Sequence, residues 1–222
     1  GSSGDICRSL TRDADGNIYV AGETDSSDFP VTSGAYSSTG AKTDMFVSKL
    51  SADLMTLLES TVFGGSDEDV ATSVGVNRSG EVYVSGVTLS KDFPMQGAYD
   101  ATFNGGEGDI VIAKLSGDLS KLFASTYLGG FGKDYAHSIK IAPDQSVVVA
   151  GFTFSENFPT SKTAYDKSYN GYADGIVSVL SKDLGKLVAS TYLGGQGGDS
   201  IGGYNSDFGD ALAIDSKGNI YV

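Results

Sequence analysis

The chain repeats itself with a period of 64 to 65 residues, and this repeat limits the possible folds more than any other feature. Residues 20–24 (Val-Ala-Gly-Glu-Thr) recur around Gly86 and again around Gly151, each time followed by a Phe-Pro pair. A second marker, the Gly-Gly pair at 64–65, recurs in the same register at 129–130 and 194–195. Such a period is typical of a chain built from copies of one supersecondary unit that stack on each other.

Each repeat contains four short apolar runs bounded by turn residues, which predicts four β-strands. In the second repeat the predicted strands are 71–76, 81–88, 109–115 and 122–128. The turn between the first two strands ends in glycine at Gly16, Gly80 and Gly218, as a tight hairpin with a positive φ requires. The third repeat departs from this pattern, because Gln145 stands in the hairpin turn.

Several predicted strands are apolar on both faces, for example 110–113, 147–150 and 176–180. A sheet with one face in water would alternate apolar and polar residues, so these sheets must be covered on both sides. Four-stranded sheets stacked face to face around an axis meet this requirement. We therefore predict an all-β fold, a β-propeller segment of four-stranded antiparallel blades. A β-solenoid is the less favoured alternative, because its coils are usually shorter and lack two hairpins per unit.

The repeat resembles the SBBP repeat, a β-propeller repeat of bacteria and archaea. The resemblance rests on Gly-Asn-Ile-Tyr-Val at 16–20 and 218–222, on Gly-x-Thr-x-Ser-x-Asp-Phe-Pro from Gly22, and on Ser-Thr-Tyr-Leu-Gly-Gly at 125–130 and 190–195. It covers essentially the whole chain. The resemblance implies a propeller module of a large secreted or surface-attached protein, and it implies no catalytic residues.

The repeat register predicts the domain organisation. Blade 1 spans 1–68, blade 2 spans 69–133, blade 3 spans 134–209 with an inserted loop near 197–209, and a fourth blade starts at 210–222. Three blades plus the first hairpin arm of a fourth cannot close a ring, which needs about four to eight blades. An open end would leave an apolar face in water. We therefore expect the remaining blades of the same longer chain, or further copies, to complete the ring.

Charge and composition narrow the possible partners. The chain has 15 Lys and Arg against 28 Asp and Glu, a formal net charge of −13, and no basic cluster, so we expect neither nucleic acid nor membrane insertion. One cysteine and one histidine exclude a disulfide framework and a Cys/His zinc cluster. Cys7 aligns with Ala71 and Ala136, which predicts a small buried thiol. His137 follows no nucleophile elbow, so it gives no support to a catalytic triad.

Strand direction places the long loops 25–43, 89–108 and 154–173 at one end of the propeller, together with the connections between blades. Phe29, Phe93 and Phe158 recur at equivalent sites in these loops, which indicates packing, whereas residues that do not repeat are better candidates for function. The candidates for the ligand face lie in the third repeat and its insertion: Tyr169, Tyr172, Tyr204, Asn205 and Asp207.

The connection after blade 3 is longer than its counterparts: residues 194–214 span 21 positions, whereas 64–76 and 129–141 span 13 each. Its polar residues suggest either a tolerated surface insertion or a calcium loop, and no other cofactor is indicated. Gly-Gly-x-Gly-x-Asp strings end at Asp134 and Asp199, as in calcium-binding β-rolls, but they are 65 residues apart rather than in tandem. The weak calcium candidates are Asp134, Asp199, Asp207 and Asp210. Asp44, Asp109 and Asp174, one before each third strand, are expected to accept backbone hydrogen bonds.

Two functions follow as hypotheses. The first is a non-catalytic extracellular or cell-surface module that serves as a scaffold or as an adhesion and binding platform through its long-loop face, with a glycan or a surface protein as the partner. The alternative is a polysaccharide-active hydrolase or lyase that uses carboxylates of the inserted loop, Asp199, Asp207 and Asp210, at the ring entrance.

Overall fold

The computed structural model describes residues 1–38, 42–199 and 211–222, and within these ranges all regular structure is β. Blade 1 contains β1 (Asp5–Arg12), β2 (Ile18–Thr24), β3 (Asp44–Leu50) and β4 (Leu57–Phe63). Blade 2 contains β5 (Asp69–Val76), β6 (Val82–Thr88), β7 (Asp109–Leu115) and β8 (Leu122–Leu128). Blade 3 contains β9 (Asp134–Ile141), β10 (Val147–Thr153), β11 (Asp174–Leu180) and β12 (Leu187–Leu193). A two-stranded arm follows, formed by β13 (Ala213–Ile214) and β14 (Ile220–Tyr221).

Each blade is an antiparallel sheet whose four strands lie in chain order, and the arm is a separate hairpin. This confirms the predicted fold class and the four strands per repeat. The first strand of the second repeat starts at Asp69, slightly before the predicted Ala71. Within the part of the chain that the structure describes, no helix has the length and apolar character needed to cross a membrane.

Successive blades bury each other. Tyr19, Met45 and Phe63 of blade 1 share one core with Val84 of blade 2, and Tyr83 of blade 2 belongs to the next core, which it shares with blade 3. Because Tyr83 and Val84 are neighbours on β6, they point to opposite faces of the sheet. Both faces of blade 2 are therefore covered, as the uninterrupted apolar strands predict.

The first strands of neighbouring blades are joined by serine side chains. Ser9 Oγ accepts a hydrogen bond from the backbone N–H of Val74 at 3.3 Å, and Ser73 Oγ accepts one from Ile139 at 3.2 Å. In each blade the first strand also has an irregular register, at Cys7/Ser9 in blade 1 and at Ala71/Ser73 in blade 2. The repeat thus preserves both the bulge and the serine that follows it.

The long loops fold back along the fourth strand of their own blade. In blade 2 the N–H of Ser125 donates to the carbonyl of Gln96 at 2.8 Å, and that of Tyr127 donates to Asp100 at 3.0 Å. In blade 3 the N–H of Ser161 donates to the Ser190 carbonyl at 2.9 Å, and that of Tyr192 donates to Asp166 at 3.2 Å. The loops therefore occupy hydrogen-bonding groups of a sheet edge that would otherwise be open. Phe93 and Phe158 are buried by this folding, and Phe29 packs on Phe46 with ring centroids 4.6 Å apart, which confirms the packing interpretation.

A leucine with positive φ ends the turn between the third and fourth strands of each blade. Leu119 (φ 52) and Leu184 (φ 58) are fully buried against the preceding blade. Their carbonyls accept hydrogen bonds from the N–H groups of Tyr36 and Tyr99, at 2.8 and 2.9 Å. An L-residue in this region costs about 1 to 2 kcal/mol. Burial of the leucine side chain offsets that cost where a preceding blade exists.

The structure contradicts the prediction that Cys7 is a buried thiol, because Cys7 is exposed. The aligned Ala71 and Ala136 are fully buried, since each faces the preceding blade. Among the described residues no blade precedes β1, so Cys7 lacks the cover that a preceding blade gives to the two alanines.

Candidate functional site

At the loop end of each blade, an aspartate at the start of the first strand collects several hydrogen bonds. Asp134 accepts from the N–H of Gly130 at 2.8 Å, from Ser155 Oγ at 2.9 Å and from Thr153 Oγ1. Asp69 accepts in the same way from Gly65 at 2.6 Å and from Ser90 at 2.9 Å. The Gly-Gly pair and the Thr-x-Ser segment recur in the sequence because together they hold this aspartate.

A second aspartate begins the third strand and also accepts a backbone hydrogen bond. Asp109 Oδ2 accepts from the N–H of Asn104 at 2.6 Å, and Asp174 Oδ2 accepts from Asn170 at 2.9 Å. The same oxygen of Asp44 accepts from Lys42 at 3.3 Å. The predicted role of these aspartates as acceptors at the start of the strand is confirmed.

The two aspartates approach each other across the first glycine of the Gly-Gly pair. A Cβ added to Gly129 would lie 2.6 Å from Asp109 Oδ1 and 2.7 Å from Asp134 Oδ2, and Gly64 stands in the same way between Asp44 and Asp69. Both junctions therefore contain two buried carboxyl groups that face one glycine. Burial raises the pKa of Asp109 to about 7, and the negative charge of Asp134 contributes to this rise. Burial also raises the pKa of Asp134 and of Asp69 to about 6.

Of the four calcium candidates, the structure describes Asp134 and Asp199, which hold equivalent places in two successive blade connections. Asp199 Oδ2 accepts from Gly195 at 2.6 Å and its own N–H donates to Ala173 at 2.7 Å, so it repeats after blade 3 the bonds that Asp134 makes after blade 2. Asp207 and Asp210 lie outside the described residues. Searched over the three described ranges, the chain shows no group of three or more His, Cys, Asp or Glu side chains that could hold a metal ion. Calcium binding stays a prediction, as does an acid pair for hydrolysis.

The two candidate tyrosines of blade 3 differ in their contacts. The Tyr169 ring packs on Tyr192 at 6.2 Å, as Phe103 packs on Tyr127 at 6.0 Å in blade 2, so Tyr169 belongs to the repeated packing. Tyr172 is 76% exposed; its ring makes a T-shaped contact with Phe154 at 5.2 Å, and its carbonyl accepts a hydrogen bond from the Tyr169 hydroxyl. Tyr204 and Asn205 fall outside the described ranges.

Phe131, which is not among the residues predicted from the sequence, is 75% exposed in the connection between blades 2 and 3. Phe131 could have been found because it departs from the repeat: Ser66 and Gln196 stand at this position in the other connections. Tyr172 departs from the repeat in the same way, since Lys42 and Glu107 occupy the equivalent positions. The loop end therefore presents two large aromatic side chains that the repeat itself does not require.

A cleft of about 450 Å³ lies at the boundary of blades 1 and 2. Tyr36, Phe63 and Pro94 supply its apolar wall, and Ser66 and Asp92 supply polar groups. Asp92 Oδ1 accepts from both the N–H and the hydroxyl of Ser66, each at 2.9 Å. These bonds lower the pKa of Asp92, so the cleft carries a fixed negative charge beside aromatic rings.

Comparison with known proteins agrees with this architecture. The SBBP beta-propeller repeat family matches residues 1–30, which confirms the resemblance drawn from the repeated motifs. Those residues hold the first hairpin of blade 1 and the Asp-Phe-Pro segment after it, and the same segments recur in blades 2 and 3. The chain is therefore similar to the SBBP repeat over residues 1–30, and the motifs of that segment recur in the two later blades. No curated protein sequence matches it.

Proposed function

We propose that this chain is a non-catalytic repeat module of an extracellular or cell-surface protein, which acts as a scaffold and binds a partner through its long-loop end. The SBBP match supports the repeat module. The formal net charge of −13 supports a module that repels anionic polymers.

The observation that carries the binding role is the exposure of Phe131 and Tyr172. Large exposed aromatic side chains are costly in water and are enriched at interaction sites. Phe131 lies in the connection between blades 2 and 3, and Tyr172 lies in the long loop of blade 3. Both are at the loop end, and both replace polar residues of the other repeats. Repeated aromatics such as Phe93 serve the packing, so these two are free to contact a partner.

The cleft between blades 1 and 2 supports a glycan as the partner. A sugar ring presents apolar C–H faces and hydroxyl groups, which match aromatic walls and a fixed carboxylate. Tyr36 and Pro94 provide an apolar wall for the C–H face of a sugar, and Asp92 provides an acceptor for its hydroxyl groups. The acidity of the site favours neutral sugars over acidic ones.

The outer face of blade 1 supports a further repeat as its neighbour. Leu54 is 62% exposed, although Leu119 and Leu184 at its equivalent positions are buried by the preceding blade. Such a repeat comes either from the rest of a longer chain or from another copy, and it completes the ring.

The test is binding of the purified protein to immobilised cellulose, xylan, chitin and alginate. We expect retention on at least one neutral polymer and a loss of about tenfold in affinity for Phe131→Ala combined with Tyr172→Ala, which corresponds to roughly 1.4 kcal/mol. Phe123→Ala is the matched control, because Phe123 is also exposed, at 44%, but lies on β8 away from these connections. Equal retention of all variants would contradict the aromatic site. Release of reducing ends by the parent protein would contradict the non-catalytic role.

A further inference from the structure

We propose that the outer face of blade 1, formed around Cys7, Leu10 and Leu54, docks another blade of the same repeat type, and that this blade carries a tyrosine at the position of Tyr19. This rests on the further repeat proposed above as the neighbour of blade 1, and the contacts that such a repeat must make are the new element. Cys7 is exposed, and Leu10 and Leu54 are 66% and 62% exposed. An apolar face of this kind in water marks an interaction surface.

The equivalent positions of the other two blades are buried. Val74 and Ile139 align with Leu10, and each is buried in a core that it shares with the preceding blade. Three further apolar residues of the face, Ile18, Val20 and Leu50, are only partly buried. Their equivalents are all fully buried: Val82, Val84, Leu115, Val147, Val149 and Leu180. Blade 1 therefore presents the apolar half of a junction that is complete elsewhere in the chain.

Each complete junction contains the same three hydrogen bonds. The preceding blade supplies a serine hydroxyl oxygen that accepts, a tyrosine hydroxyl that donates and a long-loop N–H that donates. Between blades 1 and 2 the pairs are Ser9 with the Val74 N–H at 3.3 Å, Tyr19 with the Gly117 carbonyl at 3.5 Å, and Tyr36 with the Leu119 carbonyl at 2.8 Å. Between blades 2 and 3 they are Ser73 with Ile139 at 3.2 Å, Tyr83 with Lys182 at 2.9 Å, and Tyr99 with Leu184 at 2.9 Å. The N–H of Leu10 and the carbonyls of Ala52 and Leu54 stand at the equivalent positions of blade 1.

The segment before β1 has the conformation of a connection between blades. The N–H of Ser2 donates to Asp28 Oδ1 at 2.6 Å, as that of Ser66 donates to Asp92 Oδ1 at 2.9 Å. Gly1 occupies the place of the second glycine of the Gly-Gly pair. A Cβ added to it would lie 2.9 Å from Asp28 Oδ1, and the corresponding distance in blade 2 is 2.7 Å. A blade can therefore dock on this face without rearrangement of the segment.

The tyrosine decides which kind of blade fits. A docked blade removes the Ala52 carbonyl from water, so it has to supply a donor for that group. Tyr19 and Tyr83 supply such a donor to the blades that follow them. Val148, which stands at this position in blade 3, has no hydroxyl. The partner is therefore a blade like the first two and unlike the third.

The experiment fuses a second copy of residues 1–64 before Gly1, so that Gly64 of the added blade and Gly1 form the Gly-Gly pair of a connection. The added blade carries Cys7→Ala, which leaves Cys7 of the original chain as the only thiol. We expect this thiol to react with DTNB at least about tenfold more slowly than in the parent chain, because the equivalent Ala71 is fully buried under a blade.

Two variants calibrate the result. The parent chain with Cys7→Ala and Ala71→Cys has its only thiol under an existing junction, so its rate defines full protection. Tyr19→Val in the added blade copies the residue of blade 3. We expect this variant to react about fivefold faster than the extended chain, because the junction opens more easily without the hydroxyl bond.

An unchanged rate of Cys7 in the extended chain would overturn the proposal. Rapid digestion of the added blade by trypsin would overturn it as well, because a blade that fits this face should fold on it. An equal rate in Tyr19→Val would refute the choice of partner. Binding to the neutral polymers is measured on the same extended chain. Retention with a reactive Cys7 would refute the junction alone, and a protected Cys7 without retention would support the junction and contradict the binding role.

Discussion

The junctions between blades 1 and 2 and between blades 2 and 3 use one set of contacts, whereas the face of blade 3 toward the C-terminal arm uses another. At the first two, a tyrosine hydroxyl reaches the turn of the next blade: Tyr19 to the Gly117 carbonyl at 3.5 Å and Tyr83 to that of Lys182 at 2.9 Å. Blade 3 has Val148 at this position, and Val148 packs in a small core with Ala150 and Leu212. The eight extra residues of the chain also fall here.

The difference shows where the repeat is constrained by packing and where it is not. Contacts that recur at both closed junctions are needed to join any two blades, so substitutions there should destabilise the fold. The third face keeps the apolar character of the strands and the hydrogen bonds of Asp199, but Val148 cannot make the hydrogen bond that the tyrosine hydroxyl makes at the other two junctions. The same substitution can therefore be compared at a junction between two blades and at a face without such a junction. A larger loss in the free energy of unfolding at the junction would show that contacts between blades stabilise the fold.

The two largest effects are expected at the junctions between blades, and the first of them is that of Gly129→Ala. Its new Cβ would stand 2.6 and 2.7 Å from two buried carboxylate oxygens that hydrogen bonds hold in place. Either a carboxyl group or the backbone must move, at a cost of about 3 kcal/mol in the free energy of unfolding, measured by urea denaturation. Gly197→Ala is the matched control in the connection after blade 3, because a Cβ there meets nothing within 4 Å. Similar losses in both variants would show that the closed junction is not the sensitive element.

An effect of comparable size is expected from Leu119→Ala, for which Leu54→Ala is the comparison. The two leucines end the same turn with similar φ angles, 52 and 62, but only Leu119 is buried between blades. Truncation of a buried leucine costs about 2 to 5 kcal/mol, whereas an exposed one changes stability by about 0.5 kcal/mol or less. Urea denaturation measures both. Equal destabilisation would mean that the turn depends on its leucine for local reasons and not for the junction.

Sequence reasoning predicted the elements of this fold because the repeat shows each one three times. The strands, the hairpins and the acceptor role of Asp109 could all be read within one repeat. What lies between repeats was harder to predict. The approach of Asp109 and Asp134 to the same glycine depends on how two blades stack, and Cys7 is exposed because no blade precedes β1 among the described residues.

The candidate site was predicted in part, for a related reason. Repetition identified Phe93 and Phe158 as packing residues, and asymmetry identified Tyr172. Phe131 was missed because it lies within a glycine-rich connection whose aligned residues are Ser66 and Gln196, so the motif around it looked regular. The path of the long loops along the fourth strands was not predicted, although a recurring residue holds it: Thr61, Thr126 and Thr191 each accept from a loop N–H and donate to a loop carbonyl. The repeated threonine is visible in the sequence, but the segment that it binds is not.

The smallest effect is expected in the hairpin turns, where Gln145 has a φ of 72 at a position that is glycine in the other blades. The turn itself is intact, since the N–H of Gln145 donates to the Ala142 carbonyl at 2.9 Å, as Gly80 donates to Asn77 at 3.0 Å. Gln145→Gly removes the strain of a side chain at positive φ but makes the unfolded chain more flexible, so a net gain of about 0.5 to 1 kcal/mol is expected. The reciprocal Gly80→Gln should lose a similar amount, because a Cβ at Gly80 meets nothing within 4 Å and only the φ of 80 opposes it. A loss in both variants would show that Gln145 makes contacts of its own that stabilise blade 3.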